Sequence, residues 1–290
     1  MPELPEVETI TRSLQKHLQG ATIIDSEVLC PLRHTVTTSE LRDFCHLQTI
    51  AKITRRAKYI LVHFQNSSGL LLHLGMTGSF IITPDNHTPD KHEHIYWLLA
   101  DGRRWRFLDP RRFGSLYLIP DFNATSAPSI LRTLGIEPLS RKFTAKYLWD
   151  QCKNHTIPIK NLIMDQTKIA GIGNIYANEA LFASRIHPKT PANTLSLTTL
   201  QKLATNIKFI LRDAIAAGGT TISDYKQPDG SEGHFKVHLQ IYDRLDQPCL
   251  KCGTPIQRIK IGGRSSFFCP KCQKLKSQRG IKNKDASKNL

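Results

Sequence analysis

Residues 249–273 read CLKCGTPIQRIKIGGRSSFFCPKCQ, in which two C-x-x-C pairs are separated by sixteen residues. Each pair can present two thiolates from one tight turn, and two such turns complete a tetrahedron around zinc. Four thiolates fill the coordination shell, so the expected ion is one structural Zn2+ rather than a catalytic one. The alternative is a pair of disulfides, which a reducing cytosol disfavours. The predicted ligands are Cys249, Cys252, Cys269 and Cys272.

The sequence between the two pairs predicts a β-hairpin. Residues 254–260 alternate in polarity, Gly262 and Gly263 supply a turn, and residues 265–268 form the return strand. Arg264 then lies beside the turn, at the exposed tip. A fragment of this size buries too little surface to fold alone, so we expect zinc to contribute much of its folding free energy.

The positive charge of the chain is concentrated towards its C-terminal end. The 290 residues contain 40 Lys and Arg against 24 Asp and Glu, which gives a net charge of +16. Residues 244–290 hold 12 of these cations and 2 of the acids, so they account for +10 of the total. Such a basic end favours a polyanionic partner, either nucleic acid or an acidic membrane surface. A tail that only improves solubility is the simpler alternative.

The overall composition, 40% hydrophobic and 22% charged residues, is typical of a folded, soluble protein. No apolar run approaches the roughly 20 residues that span a bilayer, which excludes an integral membrane protein. The N-terminal MPELPE has no basic region followed by an apolar stretch, so we expect neither a signal peptide nor a transit peptide. The expected location is the cytoplasm, or the nucleoid if DNA is the partner.

Hydrophobic periodicity divides the chain into a β-rich half and a helical half. Residues 5–19 have the pattern of an amphipathic helix, and 21–119 show short β runs with a hairpin signal at Asp101-Gly102. Farther along, the period becomes helical, with candidate helices at roughly 143–152, 158–166, 174–184 and 195–217. The fold class is therefore α+β with two domains: an N-terminal helix on an antiparallel β-sandwich, then a helical domain that carries the zinc hairpin.

The expected domain boundaries follow these changes of pattern. A stretch rich in Pro, Ser and Asn reads as a linker, and the polar, basic C-terminal end reads as disordered. In chain order the predicted segments are the β-sandwich domain (1–120), the linker (121–142), the helical domain with a Gly-rich loop at 220–234 (143–234), the zinc hairpin (235–273) and the tail (274–290).

The N-terminus offers a possible nucleophile. Methionine before proline is normally removable, and its removal leaves Pro2 as a terminal secondary amine. Because α-amino groups titrate at about 7.7–8.0, much of such an amine is unprotonated at neutral pH and can form a Schiff base. Glu3 is adjacent and could act as an acid or a base. Alternatively, Glu3 and Glu6 could simply serve the first turn of the helix.

Six short segments occur in order along nearly the whole chain. They are MPELPEVE at 1–8, RRAKY at 55–59, HLGMTG at 73–78, DPRRFG at 109–114, GIGNIYANE at 171–179 and CPKCQ at 269–273. Together they resemble the formamidopyrimidine-DNA glycosylase family, bacterial base-excision enzymes for oxidised purines. The related endonuclease VIII branch usually has Gly at the position of Leu4, so Leu4 favours the oxidised-purine branch.

The resemblance implies a bifunctional DNA glycosylase and DNA-(apurinic or apyrimidinic site) lyase that acts on double-stranded DNA with damaged bases. Family members flip the damaged nucleotide out of the duplex, and the Pro2 nitrogen then attacks the sugar C1′ and displaces the base. Glu3, by similarity, protonates the sugar ring oxygen, and β,δ-elimination then cuts both sides of the sugar. Lys58 and Arg264 match positions that assist these proton transfers. Phosphate contact suits both cations better, because arginine scarcely gives up a proton near pH 7.

The resemblance also implies residues that fill the space left by the flipped base. Met76 and Phe113 match apolar wedges, and Arg111 matches the side chain that bonds the orphaned partner base. Without the resemblance, the two apolar residues would be assigned to a core and the arginine to a solvated turn.

Further DNA contacts are implied around the predicted helical motif. Residues 171–174 open a helix whose N–H groups attract phosphate, although Asn174 could instead be its N-cap. His155 stands where the family often has Lys or Arg, a departure from the family pattern. Other implied contacts are phosphate contacts at His73 and His92 and a DNA-facing Tyr242, with residues 220–234 as a lid over the flipped purine.

Two other functions stay open at this point. One is an endonuclease VIII-like glycosylase for oxidised pyrimidines, against which Leu4 and the 220–234 loop argue. The other is a non-catalytic zinc-ribbon protein that binds nucleic acid. That function would explain the charge and the cysteines but not Pro2 and Glu3 together with Lys58. By similarity, we expect a monomer.

Overall fold

The computed structural model describes residues 2–85, 88, 90–122, 129–219 and 239–275. The predicted lid at 220–234 and most of the predicted tail, 276–290, lie outside the described residues. Within the described part, no helix is both long enough and apolar enough to cross a membrane.

The first helix is α1 (Leu4–Leu18), and Glu3 is its N-cap. The Glu3 backbone N–H donates to the Glu6 carboxylate at 2.8 Å. This reciprocal contact is a capping box, and it starts the helix one residue before the predicted position. Val7, Ile10 and Leu14 form the buried stripe that the sequence pattern indicated. The polar face of the helix stays outside.

In the described residues, eight strands follow, all paired antiparallel in the order β5-β7-β6-β1-β2-β3-β4-β8. Only two residue pairs join β1 to β2, so the sheet divides there into two four-stranded halves. Apolar side chains from both halves and from α1 share one core, as a β-sandwich requires. The bounds are β1 (Thr22–Val28), β2 (Gln48–Arg56), β3 (Tyr59–Phe64), β4 (Gly69–His73), β5 (Ser79–Pro84), β6 (Glu93–Leu99), β7 (Arg103–Leu108) and β8 (Ser115–Ile119).

The sandwich contains elements that the hydrophobic pattern did not single out. Strand β7 reads RRWRFL, and its arginines hide the alternation because one of them, Arg106, is buried in an ion pair with Glu93. A short helix, α2 (Thr38–Cys45), is marked by the capping box of Thr37 and Glu40 rather than by periodicity.

The C-terminal half is helical, as predicted, and has its own apolar core. Its helices are α3 (Ser129–Arg132), α4 (Ala145–Cys152), α5 (Ile159–Met164), α6 (Asn174–Ala183) and α7 (Leu197–Ala216), with a short 3-10 turn at Ala192–Thr194. Helix α3 lies inside the stretch predicted to be a linker, so that segment is not wholly irregular. The zinc hairpin consists of β9 (Gln257–Ile261) and β10 (Arg264–Phe268), joined by the predicted turn at Gly262 and Gly263.

Candidate active site

Glu3 lies where the first turn of α1 meets the first turn of α6. Its buried carboxylate accepts hydrogen bonds from the backbone N–H groups of Gly173 and Ile175, both at 2.8 Å, and from Tyr176 at 3.4 Å. A single side chain therefore fixes the N-terminus of α1 and caps α6 from 170 residues away in sequence. Because these three N–H groups already donate to Glu3, they cannot bind a phosphate. The prediction that they attract a DNA phosphate is therefore wrong.

The glycine-rich turn before α6 is shaped around the two residues that follow Pro2. A Cβ atom on Gly173 would lie 2.4 Å from the Glu3 carboxyl carbon, so a larger residue would displace the carboxylate. The Leu4 N–H also donates to the Gly171 carbonyl at 3.1 Å. Gly173 is the N-cap of α6 and Asn174 is its first helical residue, so the alternative of Asn174 as N-cap is wrong.

Burial raises the pKa of Glu3 above its ordinary value of 4.5, although the nearby Lys58 ammonium acts in the opposite direction. The Glu6 carboxylate raises the pKa further. Burial lowers the pKa of Lys58, and the Arg264 guanidinium lowers it further, whereas the Glu3 carboxylate raises it. The structure thus brings three of the predicted catalytic residues together, next to the buried Pro2.

Lys58 lies in the tight turn between β2 and β3, and this turn is tied to the segment before α4. The Glu137 carboxylate accepts hydrogen bonds from Arg55, Arg56 and the backbone N–H of Ala57, at 2.9, 2.9 and 2.6 Å. The second Arg55 contact is an ion pair with Glu8 on α1. This network explains the RRAKY segment: its arginines hold the turn, and the turn directs the lysine towards Glu3.

Lys160 supports the site through the zinc hairpin, a role that the sequence did not predict. It is fully buried on α5, and its ammonium donates to the Ser265 carbonyl at 2.8 Å and to the Ser266 hydroxyl at 2.6 Å. Burial, with a further contribution from Arg264, lowers its pKa to about 8. The sequence pattern of α5 gave no sign of this role, because the contacts of the Lys160 ammonium are with β10, more than 100 residues away in sequence. These contacts hold the strand that begins with Arg264.

The zinc hairpin docks on α6 through buried polar and apolar contacts. The Asn178 side-chain oxygen accepts from the Phe267 N–H at 2.8 Å, and Phe182 shares a small core with Ile256 and Phe267. Glu179 accepts from the N–H groups of Gln240, Ile241 and Tyr242 at 2.9–3.0 Å. The GIGNIYANE segment therefore binds the N-terminus, the hairpin and the chain that enters it.

The four cysteines fit a single zinc ion. Their Sγ atoms all lie within 4.8 Å of one another, with separations such as 3.4 Å between Cys252 and Cys269 and 4.0 Å between Cys249 and Cys272. Tetrahedral Zn–S bonds of about 2.3 Å put sulfur atoms roughly 3.8 Å apart, which matches this spacing. None of the seven cysteines, all of which lie in the described residues, forms a disulfide, so the disulfide alternative is wrong. The hairpin therefore holds one structural Zn2+.

Two neighbouring loops carry the residues predicted to fill the space of a flipped base. The Met76 loop (residues 74–78) joins β4 to β5, and the Phe113 loop (residues 109–114) joins β7 to β8. Phe113 is 41% exposed, unusual for phenylalanine, and the Arg111 guanidinium lies 5.1 Å from its ring centre. A core position is thus wrong for Phe113, whereas Met76 is half-buried.

A groove leads from these loops towards Lys58. One cavity of about 490 Å³ is lined by Arg33, Tyr59, His73, Met76 and Phe113, among others. A second, of about 190 Å³, shares Tyr59 and His73 with the first and also contacts Lys58. Arg33 is a cation that the sequence analysis did not single out, because it lies in an irregular segment after β1.

His73 is a neutral side chain in this groove at physiological pH. Burial, Lys58 and Arg33 together lower its pKa to about 4. Its Nδ1 accepts from the Gly75 N–H at 3.1 Å, which leaves Nε2 as the donor in the neutral tautomer. His92 is half-buried beside the Phe113 loop, where its carbonyl accepts from the Asp109 N–H at 3.0 Å.

The remaining predicted contacts lie around α6. The Asn174 side chain lies against Tyr242 and lowers its pKa, whereas burial, the larger effect, raises it. The Tyr242 ring also packs edge-on against Phe267 at 5.4 Å. His155 is half-buried, and its Nε2 lies 3.4 Å from the Lys168 ammonium. Lys168 therefore supplies a cation next to the position where the family pattern has one.

Three family sequence profiles match the chain in order. The N-terminal domain of formamidopyrimidine-DNA glycosylase matches residues 1–116, the H2TH domain of the same enzyme matches 134–226, and a zinc finger found in FPG and IleRS matches 246–275. These ranges follow the β-sandwich, the helices and the cysteine hairpin of the structure.

Curated relatives and solved structures are similar over almost the full chain. The formamidopyrimidine-DNA glycosylase of Vibrio cholerae is 43% identical over 274 residues, 94% of this chain and 100% of the relative. That of Edwardsiella ictaluri is 44% identical over 277 residues, with the same coverage. The MutM (FPG) protein of Thermus thermophilus has a TM-score of 0.83 at 37% identity, covering 95% of this chain and 100% of that one.

Two solved complexes describe what related proteins bind. A Lactococcus lactis FPG bound to DNA containing Fapy-dG has a TM-score of 0.85 at 34% identity, and it covers 94% of this chain and 100% of that one. The wild-type Lactococcus lactis protein bound to DNA with an oxidised pyrimidine has a TM-score of 0.85 at 33% identity and the same coverage. Given the fold, the buried Glu3 site and these similarities, the chain belongs to the formamidopyrimidine-DNA glycosylase family.

Proposed function

We propose that this protein excises oxidised purines from duplex DNA through a Schiff base on Pro2 and then cleaves the abasic strand by β,δ-elimination. Membership of the family makes it a DNA glycosylase of base-excision repair. The alternative of a non-catalytic zinc-ribbon protein is therefore wrong. The observation that carries the residue assignment is Glu3, a buried carboxylate with a raised pKa that directly follows Pro2 and lies near Lys58.

Glu3 is suited to act as the acid. Three backbone N–H groups fix its orientation, and its raised pKa keeps the carboxyl protonated at a higher pH than an exposed glutamate. The unprotonated Pro2 amine forms a bond to C1′ as the bond from C1′ to the base breaks, and the amine proton leaves with the base. The proton of Glu3 then passes to the ring oxygen of the sugar. Ring opening then gives the iminium ion, whose positive charge acidifies the C2′ hydrogen for β-elimination.

Lys58 and Arg264 are suited to hold the phosphates on either side of the flipped nucleotide. Arg264 is exposed at the tip of the zinc hairpin, where its guanidinium can bond a phosphate. Lys58 is buried and has a lowered pKa, so it can both bond a phosphate and exchange a proton with the sugar. The zinc would have a structural role only: the four cysteines hold the base of the hairpin whose tip presents Arg264.

The wedge is the proposed role of Met76, Arg111 and Phe113. An exposed phenylalanine under an arginine can enter the base stack, and the guanidinium can then bond the unpaired partner base. We assign the other DNA contacts to phosphates. The residues are His73 and His92, Asn174 and Tyr242, and His155 with its neighbour Lys168.

Oxidised purines are the first substrate class, because the chain belongs to the formamidopyrimidine branch and its relatives include a protein bound to Fapy-dG DNA. Oxidised pyrimidines are a second candidate class. The observation in favour is the similar Lactococcus lactis protein bound to DNA with such a lesion. We also propose a cytoplasmic enzyme that acts as a monomer on nucleoid DNA, with the domain boundaries predicted from the sequence.

An N-terminal extension tests the nucleophile. A short peptide that stays attached ahead of Met1 keeps the Pro2 nitrogen in a peptide bond, so it cannot become a free amine. The same peptide at the C-terminus serves as the control. We expect the N-terminally extended form to bind a duplex with 8-oxoguanine opposite cytosine but to neither excise the base nor cut the strand. The control should do both. Full activity of the N-terminally extended form would contradict the proposal.

A further inference from the structure

The two loops that carry the wedge meet at one buried carboxylate. Asp109, the first residue of the Phe113 loop, is fully buried. Its Oδ2 accepts from the Gly114 N–H at 2.7 Å, and its Oδ1 accepts from the Thr77 hydroxyl at 2.5 Å. One oxygen therefore closes the Phe113 loop on itself, and the other binds the Met76 loop.

The Thr77 hydroxyl is shared between both loops. Besides donating to Asp109, its oxygen lies 3.3 Å from the Arg111 N–H, which also approaches the Asp109 carboxylate at 3.3 Å. The Thr77 side chain thus lies between Met76 and Arg111. In the described part of the chain, no lysine or arginine side chain pairs with Asp109, so these hydrogen bonds are what satisfies its buried oxygen atoms.

Backbone contact reinforces the same junction. Gly75 has a positive φ of 60°, and a Cβ atom there would lie 2.4 Å from the Phe113 carbonyl carbon. The Met76 loop therefore packs directly on the backbone of the Phe113 loop. The Asp109 carbonyl lies 2.8 Å from the His94 Nε2, and the Asp109 N–H donates to the His92 carbonyl at 3.0 Å, which anchors the junction to β6.

We propose that Asp109 and Thr77 are positioning residues that lock the Met76 loop to the Phe113 loop, so that the three wedge side chains enter DNA as one unit. The inference rests on the wedge role proposed above. Neither residue needs to touch DNA. Their contribution is pre-organisation: three side chains from two loops arrive in register without an entropic cost at the moment of insertion.

The test uses two substitutions at one position. Thr77→Val has nearly the same shape as threonine but lacks the hydroxyl, whereas Thr77→Ser keeps the hydroxyl and loses a methyl group. Thr77 is half-buried, so neither change fills or empties a core site. Thr77→Ala removes the same hydroxyl without an added methyl group and replaces Thr77→Val if that variant fails to fold.

Excision must be compared with a step that does not require base flipping. For Thr77→Val we expect single-turnover excision of 8-oxoguanine to slow by about tenfold, the loss of one hydrogen bond to a charged group. Cleavage of a duplex with a preformed abasic site should change by less than about twofold, because no base has to be displaced. Thr77→Ser should behave like the unmodified protein in both assays.

A fluorescent base reports wedge insertion itself. With 2-aminopurine next to the lesion, insertion unstacks the probe and its emission rises. We expect a slower rise for Thr77→Val and a normal rise for Thr77→Ser, with both variants folded at the assay temperature. Normal excision by Thr77→Val, or an equal loss of excision and of abasic-site cleavage, would overturn the positioning role.

Phe113→Ala separates this inference from the function on which it rests. If Phe113→Ala slows insertion and Thr77→Val does not, the wedge role holds and the locking role is overturned. If Phe113→Ala inserts and excises normally, the wedge role fails and the locking role falls with it. If both variants slow insertion and spare abasic-site cleavage, both are supported.

Discussion

A single glutamate connects the two halves of the chain at the residue scale. The sequence offered two interpretations of Glu3, a catalytic acid or a residue of the first helical turn. The structure shows the helical contacts, and the acid role is the one proposed above. The Glu3 backbone N–H pairs with Glu6, and the Glu3 side chain caps α6. Sequence separation hid this contact, because nothing local links position 3 to Gly173.

Replacement of Glu3 by glutamine tests the acid role. Glutamine keeps the shape and can still accept a hydrogen bond from α6, but it has no proton to give. We expect Glu3→Gln to slow excision of 8-oxoguanine by at least about 10²-fold while it still binds DNA, the usual loss for a missing general acid. Glu27→Gln, which affects a carboxylate bonded to Tyr96, is the control. Excision by Glu3→Gln within a few-fold of the unmodified rate would contradict the role.

Lys160 gives the pH dependence of stability. Burial lowers its pKa from 10.5 to about 8, so the unfolded chain retains a proton that the folded chain has lost across this window. Folding is therefore favoured increasingly as the pH rises from about 8 to 10.5, because the unfolded state binds more protons. We expect the melting temperature of the unmodified protein to gain on that of Lys160→Met over this range.

The control for that comparison removes a different positive charge. Lys202 is exposed on α7, so Lys202→Met changes the net charge equally without emptying a buried site. Thermal unfolding at several pH values between about 7 and 10.5 measures both variants. A difference between the unmodified protein and Lys160→Met that stays constant with pH would show that the buried amine does not titrate as the structure indicates.

The zinc hairpin is the element that sequence determined most completely. Cysteine spacing predicted the ion, and alternation with two glycines predicted both strands within a few residues of β9 and β10. Helices α1, α4, α5, α6 and α7 were also predicted within a few residues of their observed bounds. The hairpin signal at Asp101-Gly102 implied a strand where β7 begins. Hydrophobic alternation indicated neither β2 nor β7, because their buried or paired arginines break it, and tertiary partners such as Glu93 and Glu137 explain those arginines.

Loss of zinc should remove the function of the hairpin. In Cys252→Ser the fourth thiolate is missing, so we expect less than one zinc per chain, a lower melting temperature and weak strand cleavage, because Arg264 is no longer fixed. Cys30→Ser, at a half-buried cysteine outside the cluster, should keep one zinc and full activity. Zinc content by atomic absorption and cleavage of a lesion duplex measure the outcome. Full activity of a zinc-free Cys252→Ser would contradict the account.

At the scale of the whole molecule, the functional residues meet where the β-sandwich, the helices and the hairpin come together. Glu3 is the N-cap of α1, Lys58 lies in the turn between β2 and β3, and Arg264 begins β10 of the hairpin. Both Glu3 and Arg264 shift the pKa of Lys58. Sequence periodicity predicted each element but not this meeting point. The family resemblance predicted which residues meet there. The supporting contacts of Lys160, Glu137 and Asp109 could not be predicted, because they join residues that are far apart in sequence.

DNA binding by the assembled molecule should depend strongly on salt. The proposed contacts and the net charge of +16 suggest that about four to six phosphates are neutralised, which gives a log–log slope of affinity against salt of about −4 to −5. Fluorescence anisotropy with an undamaged and a lesion duplex, from about 50 to 200 mM salt, measures the slope. A flat response would exclude a phosphate clamp along the groove.

The most direct test of the central claim is borohydride trapping on a duplex with 8-oxoguanine opposite cytosine, with a thymine-glycol duplex alongside. Borohydride reduces the transient iminium ion to a stable amine, so the protein stays bound covalently to the DNA. The account predicts a trapped product on the 8-oxoguanine duplex, mapped by mass spectrometry of the peptides to Pro2. A cross-link at a lysine, or no product although Met1 is absent and the duplex is bound, would contradict it.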